Sequence, residues 1–465
     1  MSQAVFIFNP NVCTGCAACT IACQIENKLS SLPFPQALSE PKWRSIYSYN
    51  STHYTGFPGF NLSLACNHCQ EPACLKNCPS AAYSKDPRTG AVLIDPQKCI
   101  GCRYCSWACA FDAPKYNAAS GTMEKCTFCN HRLLQGVEPA CVKACPTNAL
   151  EFAFATPNTL NYVTNLAGFP RTTLKPFIRF IPLRAQLPQK MPPSTAPESK
   201  ISFQHEWPLW LLTSIIPILF AYFAGIQMNW HAQGAILDAL FWGVGLIALI
   251  VSTLHLGKPI RAWRAILNFR TSWLSKEISF IGGFLLITAL IFGTAHTVNP
   301  NILSFLGLQA VLGTVGICAM FSIDRVYDLV SVKSSPREVL FRPRIRLHSS
   351  SALLGGMFLA GLAANLSSSF WERPIQGIIF ILGTIAGMLQ LGLYANRHQD
   401  QDVPTARDAI TMAARVIFGF AVPLVLIFSG GSNWGAFIFA AAGFLIDRME
   451  FYEDLEIETP GFGDM

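Results

Sequence analysis

The chain has 465 residues, of which 51% are hydrophobic and only 13% charged, with a formal charge of +7. That length exceeds one ordinary domain, and the charged share is about half the usual value. The basic excess does not describe a nucleic-acid-binding face, because Lys and Arg gather in loops between long apolar runs, a membrane-topology pattern.

The first residues, MSQAVFIFNPNVC, carry no basic start, long apolar core, small-residue cleavage site or twin-arginine pair, so no export signal is expected. Short strands are expected at AVFIF (4–8) and AVLID (91–95), with turns at DPRTG and DPQK. Among them run four cysteine quartets: CTGCAACTIAC (13–23), CNHCQEPACLKNCP (66–79), CIGCRYCSWAC (99–109) and CTFCNHRLLQGVEPACVKACP (126–146). Structural zinc takes two close pairs of ligands, which is not this pattern. Iron–sulfur proteins use C-x2-C-x2-C-x3-C, often followed by Pro, with three thiolates on one cube and the fourth on its neighbour. The second and fourth quartets are stretched by insertions that lengthen a loop without removing a ligand. Sixteen cysteines in four complete quartets predict four 4Fe-4S cubes in a reducing compartment, not disulfides. His68 and His131 lie inside quartets whose ligand count is already full and read as supporting or surface residues. Cys318, alone in an apolar run, reads as a small buried hydrophobe. Nothing in this half resembles a nucleotide loop or a nucleophile paired with a base.

The quartets resemble the four-cluster subunit of the dimethyl sulfoxide reductase family of molybdenum enzymes, over residues 1–185. The resemblance implies cubes held by Cys13, Cys16, Cys19 and Cys145, and by Cys126, Cys129, Cys141 and Cys23. The other two would be held by Cys66, Cys69, Cys74 and Cys109, and by Cys99, Cys102, Cys105 and Cys78. It also implies that the last of these lies nearest a quinol site.

Residues 186–206, including LPQKMPPSTAPESK, read as an extended linker. Runs of membrane-spanning length follow near 207–226, 235–256, 278–297, 302–322, 348–367, 374–394, 410–429 and 433–451, the last interrupted by Asp447 and Arg448. An acidic tail occupies 452–465. The fold class expected is an α+β, ferredoxin-like four-cluster domain followed by an all-α polytopic bundle of about eight helices. Loops 257–277 and 323–347 hold Lys258, Arg261, Arg264, Arg270 and Lys276, then Arg325, Lys333, Arg337, Arg342, Arg344 and Arg346. Loops 227–234, 298–301 and 430–432 carry no Lys or Arg, and 368–373 only Arg373. The positive-inside rule therefore puts the cysteine half on the cytoplasmic side of a bacterial inner membrane.

One stretch carries chemistry, HLGKPIRAWRAILNFRTSWLSKEI (255–278). A histidine at a span end, a basic stretch and a glutamate opening the next helix suit a quinol, which gives up protons with its electrons. His255 and Glu277 are the candidate proton groups, and Lys258 or Arg261 the candidate partner of a quinone oxygen. The alternative is that these residues only anchor the loop. The half from 207 resembles the eight-helix anchor subunit of dimethyl sulfoxide reductases, where this stretch surrounds the quinol site; here the two subunits are fused. No haem is expected, since His231, His255, His296 and His348 sit at span edges. Asp238 is the one acidic residue expected within a span, which argues against ion translocation. The chain is thus expected to carry electrons between menaquinol or another quinol and a molybdopterin-containing catalytic subunit on a separate chain. The same wiring run in reverse, as in sulfite oxidation, is the alternative.

Overall fold

The apolar first strand forms the centre of the largest sheet. In the computed structural model, Gln3–Phe8 pairs antiparallel with Leu150–Ala155 and parallel with Ile178–Phe180, which leaves Ala4 to Phe8 buried. The structure describes residues 3–29, 42–49, 59–155, 166, 169, 172–184, 203–226, 235–295, 306–327, 331–332, 350–364, 374–399, 406–430, 432–453 and 455–456. Linker residues 186–202, most of the acidic tail, and the basic residues Lys333 to Arg346 lie outside these, as do His231, His296 and His348. The chain divides into two units: one comprises Met1–Glu198, Leu256–Ser272 and Ile457–Met465, the other Ser199–His255 and Trp273–Glu456.

In the first unit, three two-stranded hairpins accompany the sheet: Ser45–Tyr49 with Phe60–Leu64, Tyr83–Lys85 with Val92–Ile94, and Lys115–Asn117 with Thr122–Glu124. Their turns are built by short polar side chains that stand in for backbone acceptors. Asp86 accepts from the Arg88 and Thr89 amides, and Asn117 from those of Ala119 and Ser120. Among the described residues five short helices accompany the hairpins, Ala18–Glu26, Ala73–Asn77, Tyr104–Trp107, Asn130–Leu133 and Ala140–Lys143. Phe6, Phe8, Phe111, Phe128, Phe169 and Phe180 fill the core beneath the sheet.

The second unit is helical. Its described helices are Phe203–Ile226, Ala235–Ser252, Trp273–Ala295, Leu306–Val326, Ala352–Ala364, Pro374–Gln399, Ala406–Val416 continuing through a π turn at Ile417–Ala421 into Val422–Phe428, and Asn433–Glu453. Among the described residues, five segments are long and apolar enough to cross a membrane: Glu206–Ala224, Asp238–His255, Trp273–Ile291, Gly377–Tyr394 and Ala409–Phe428. Their outer faces are apolar and uncovered, as at Ile378, Ile381, Ile385 and Met388, where water would be a poor neighbour and lipid a good one. Two expected boundaries move. The third long helix starts at Trp273, not 278, because Trp273 and Leu274 extend its apolar face; Glu277 therefore lies inside the helix. The first starts at Phe203, with Glu206 in its first turn, where a carboxylate meets the positive end of the helix. Helices close up where side chains vanish: a Cβ on Gly361 would stand 2.9 Å from Gly383 Cα.

Candidate metal centre and adjoining loop

Each quartet winds through the left-handed backbone region at a non-glycine residue: Ala17, His68, Arg103, and Phe128 with Cys129. That conformation costs about 1–2 kcal/mol per residue and persists where the surroundings require it. The sixteen cysteines fall into four neighbourhoods. Cys13 stands in the field of Cys19, Cys145 and Cys16. Cys23 faces Cys141 and Cys129, and Cys126 joins them through Cys23 and Cys141. Cys69 faces Cys66, Cys109 and Cys74. Cys78 and Cys99 meet at Cys102, with Cys105 beside Cys102 and Cys78. Cys19 and Cys23, one turn apart on Ala18–Glu26, serve different neighbourhoods. Cys318 is half-buried on Leu306–Val326 and belongs to none of them.

Burial, opposed by Arg44 and reinforced by Cys141 and Cys129, pushes the Cys23 thiol up to about 12. Burial, reinforced by Cys66, pushes Cys109 up to about 11. Thiols so placed stay protonated until a metal displaces the proton. The surroundings suit thiolate ligands. Among the described residues no three Cys, His, Asp or Glu side chains converge closely enough to clasp one metal ion. Cys66, Cys69, Cys74 and Cys109 line one partly open pocket, together with Lys125. Backbone N–H groups point at sulfur: Gly101 and Met123 at Cys99, each 3.4 Å, Phe128 at Cys126, 3.3 Å, and Ala82 at Cys78, 3.4 Å. Such donors stabilise thiolate ligands. His68 Nδ1 accepts the Val92 amide at 3.0 Å, and its ring stacks on Phe128. His131 is at the surface, bonded to Glu26.

The segment Leu256–Ser272 belongs to the same unit. It bonds to the carbonyls around two cysteines. Lys258 N donates to Ile100 O at 3.1 Å, and Arg261 donates to Pro96 O at 2.7 Å and Cys99 O at 3.1 Å. Asn268 donates to Pro79 O and Cys78 O, Thr271 to Lys76 O, and Ser272 to Asn77 O. At Gly257 the backbones touch, and a Cβ there would overlap the Gly121 carbonyl and stand 2.8 Å from the Tyr116 hydroxyl. The guanidinium of Arg261 is thus occupied as a tether. The other side of the segment is apolar and exposed, with Ile260 at 95% and Trp263 at 61%, the composition of a chain lying in a bilayer interface.

In the helical unit, His255 is half-buried on a 3-10 turn, and its Nδ1–H donates to the Ser252 carbonyl. In the neutral ring this makes Nε2 the proton acceptor. Glu277 is buried, and the charges acting on it are those of Arg448 and Asp324. Sequence reasoning missed this surrounding network. Asp324 accepts from Ser351 Oγ and the Ala352 and Leu353 amides, capping a helix to which it does not belong. Arg448 donates to Ser350 O at 2.9 Å and Thr213 Oγ1 at 2.6 Å, and Thr213 bonds Tyr452, which bonds Tyr327. On the other flank Arg415 pairs with Asp447 at 3.2 Å, and Tyr394 donates to Glu450. Acidic residues buried in the spanning half therefore extend well beyond Asp238. The available signal was charge inside an apolar run.

Thiol groups of this kind joined to apolar helices define an electron-transfer iron–sulfur protein with its membrane anchor in the same polypeptide. Residues 59–154 match the 4Fe-4S dicluster domain, and residues 206–340 match the DMSO reductase anchor subunit (DmsC). The sequence is 40% identical over 159 residues to the probable anaerobic dimethyl sulfoxide reductase chain YnfG of Escherichia coli, covering 32% of this protein and 73% of that one. It is 39% identical over 162 residues to a chain of the anaerobic dimethyl sulfoxide reductase of Haemophilus influenzae (33% and 75%). It is 35% identical over 165 residues to a subunit of the sulfite dehydrogenase of Allochromatium vinosum (33% and 69%). The protein belongs to the dimethyl sulfoxide reductase family, as an iron–sulfur subunit fused to the anchor subunit.

Proposed function

We propose that this protein takes electrons from a quinol in the membrane and passes them through four 4Fe-4S cubes to a separate, molybdopterin-containing catalytic chain. Each thiol neighbourhood holds one cube: Cys13, Cys16, Cys19 and Cys145; Cys23, Cys126, Cys129 and Cys141; Cys66, Cys69, Cys74 and Cys109; Cys78, Cys99, Cys102 and Cys105. When bound, the cubes supply one-electron carriers in a row. The observation that carries the reading is the packing of Leu256–Ser272 on the carbonyls of Cys78 and Cys99. It sets Lys258, in the most chemical stretch of the sequence, against the thiol group through which electrons would enter.

In this reading His255 takes a quinol proton at Nε2, Glu277 takes the second, and Lys258 holds a quinol oxygen, while Arg261 keeps the loop in place. The basic loops support a cytoplasmic side of an inner membrane for this chemistry, so that proton release and catalytic consumption would share a compartment. The likeness to a sulfite dehydrogenase subunit supports a second reading, in which electrons run the other way, into quinone.

Membranes carrying the whole complex test both. His255→Ala or Glu277→Gln should lower quinol-linked turnover by about 100-fold or more, leave iron and sulfide content unchanged, and leave dye-linked activity of the catalytic chain intact. Wild-type quinol turnover in both variants would remove these residues from the reaction. Quinone reduction on adding sulfite would select the second direction.

A further inference from the structure

Two cations are buried in the iron–sulfur unit without an acid to balance them. Arg44 is 2% exposed and Lys125 is 1% exposed. Neither has a carboxylate partner among the described residues. Arg44 donates to Ser63 Oγ at 3.0 Å and Ser63 O at 3.4 Å and lies 4.7 Å over the Phe6 ring, while its Nη2 has no hydrogen-bond partner. Lys125 donates to Val92 O and, at 3.0 Å, to Cys126 O. A buried charge is strongly destabilising unless something of opposite sign is near.

What lies near is sulfur. Ser63 Oγ, which holds Arg44, is 3.4 Å from Cys19 Sγ. The thiols acting on Arg44 are Cys141, Cys19, Cys126 and Cys23, drawn from two neighbourhoods. Lys125 lines the cavity of Cys66, Cys69, Cys74 and Cys109, and its backbone neighbour is Cys126 of the adjacent group. Cys66 and Cys126 pack in one buried cluster, so those two groups abut there. The next interval is different. Between the Cys66 group and the Cys99 group lies Tyr83, a neutral side chain buried with Cys78, Cys99 and Cys105 and packed by Cys74. The intervals along the row are thus filled by Arg44, Lys125 and Tyr83, two cations and one neutral ring.

We propose that Arg44 and Lys125 are fixed counter-charges, each set between two consecutive cubes and each raising the reduction potential of both. The inference rests on the assignment of the four thiol groups to cubes. A thiolate-ligated cube is an anion and becomes more so when it gains an electron, so a fixed cation favours the reduced form. Placed between two cubes, one cation acts on both sides of a single electron-transfer step. That keeps their potentials moving together and the step close to level. The cube on Cys78, Cys99, Cys102 and Cys105 has neither cation beside it.

Redox titration of the assembled complex, followed by electron paramagnetic resonance of the reduced cubes, tests this. Arg44→Gln should lower the potentials of the Cys13 and Cys126 cubes, and Lys125→Met those of the Cys126 and Cys66 cubes. Each shift should be about tenfold or more in the reduction equilibrium, which is about 59 mV for a one-electron couple. The Cys99 cube should move least in both, and Arg44→Lys and Lys125→Arg should restore the wild-type values. Iron, sulfide and spin counts on the wild type test the cubes separately from their tuning. Full cubes with unmoved potentials would overturn the proposal and leave the cluster assignment standing. If the neutral variants lose cubes that both charge-retaining variants keep, the role still belongs to charge. Loss in all four makes the two residues structural and overturns it.

Discussion

Asp447→Asn should destabilise the helical unit severely, although the change removes no volume. Asp447 and Arg415 are 0% and 1% exposed and meet at 3.2 Å, with Gln390 Nε2 adding 3.3 Å to the same carboxylate oxygen. The neutral amide can still receive Gln390, but it leaves the Arg415 guanidinium charged, buried and without an anion. Breaking a buried pair from one side costs about 3–5 kcal/mol. A surface pair would lose about 1 kcal/mol or less. The Gln390 contact is a minor part, since hydrogen bonds between membrane helices average roughly 0.6 kcal/mol. Replacing both partners with apolar side chains, Arg415→Met with Asp447→Leu, removes the orphan and should return stability to within about 1 kcal/mol of wild type. Unfolding in mixed micelles of increasing denaturing detergent reads each variant. A loss under about 1 kcal/mol for Asp447→Asn, or a double variant as unstable as the single, would mean that the pair is wet and carries little.

Two further outcomes follow from the iron–sulfur unit. Arg261→Ala removes the guanidinium bonds to Pro96 O and Cys99 O, half-exposed contacts together worth about 1.4 kcal/mol; amide exchange at Gly257 and Lys258 should quicken about tenfold, and unchanged protection would show that the loop does not depend on this tether. Glu26 is held below the ordinary carboxyl range by its hydrogen bond to His131 and by Arg132, so its contribution is present above about pH 4.5 and fades as the pH falls through the lowered value. Glu26→Gln should therefore cost under about 1 kcal/mol at neutral pH and nothing in strong acid, whereas a penalty that grew on acidification in thermal melts would reverse the sign of the argument.

The elements most legible in the sequence were those set by local chemistry. The apolar run AVFIF became Gln3–Phe8, and DPRTG became the turn between Tyr83–Lys85 and Val92–Ile94, because strand burial and Asx turns are decided within a few residues. Long apolar runs announced helices for the same reason. Boundaries were harder. Phe203 to Glu206 looked like the end of a linker, and Trp273 to Glu277 like a loop, because a polar residue in the first turn of a helix reads as the residue before it. Asp447 and Arg448 seemed to interrupt the final run. Successive residues on a helix point about 100° apart, so one reaches Arg415 while the other reaches Thr213 and Ser350, and Asn433–Glu453 continues unbroken between them.

The site divides along the same line. Cysteine spacing is a local code, since the distance between thiols in a turn is fixed by two or three residues, and the quartets could be read directly. Arg44 and Lys125 could not. Arg44 sits in KWRSIY, with nothing beside it to separate it from a surface cation, and Lys125 directly follows the strand Thr122–Glu124, where a solvated basic residue is common. Their burial arises from Ser45–Tyr49 pairing with Phe60–Leu64 and from the packing of Cys66 against Cys126, contacts across tens of residues. Glu277 shows the converse. Its chemical promise was visible from the loop it closes, but Arg448 and Asp324 approach it from helices that begin or end far along the sequence. The hydroxyls of Tyr327, Tyr452 and Thr213 form a chain that ends on Arg448, and its members come from segments more than a hundred residues apart, which no local pattern could pair.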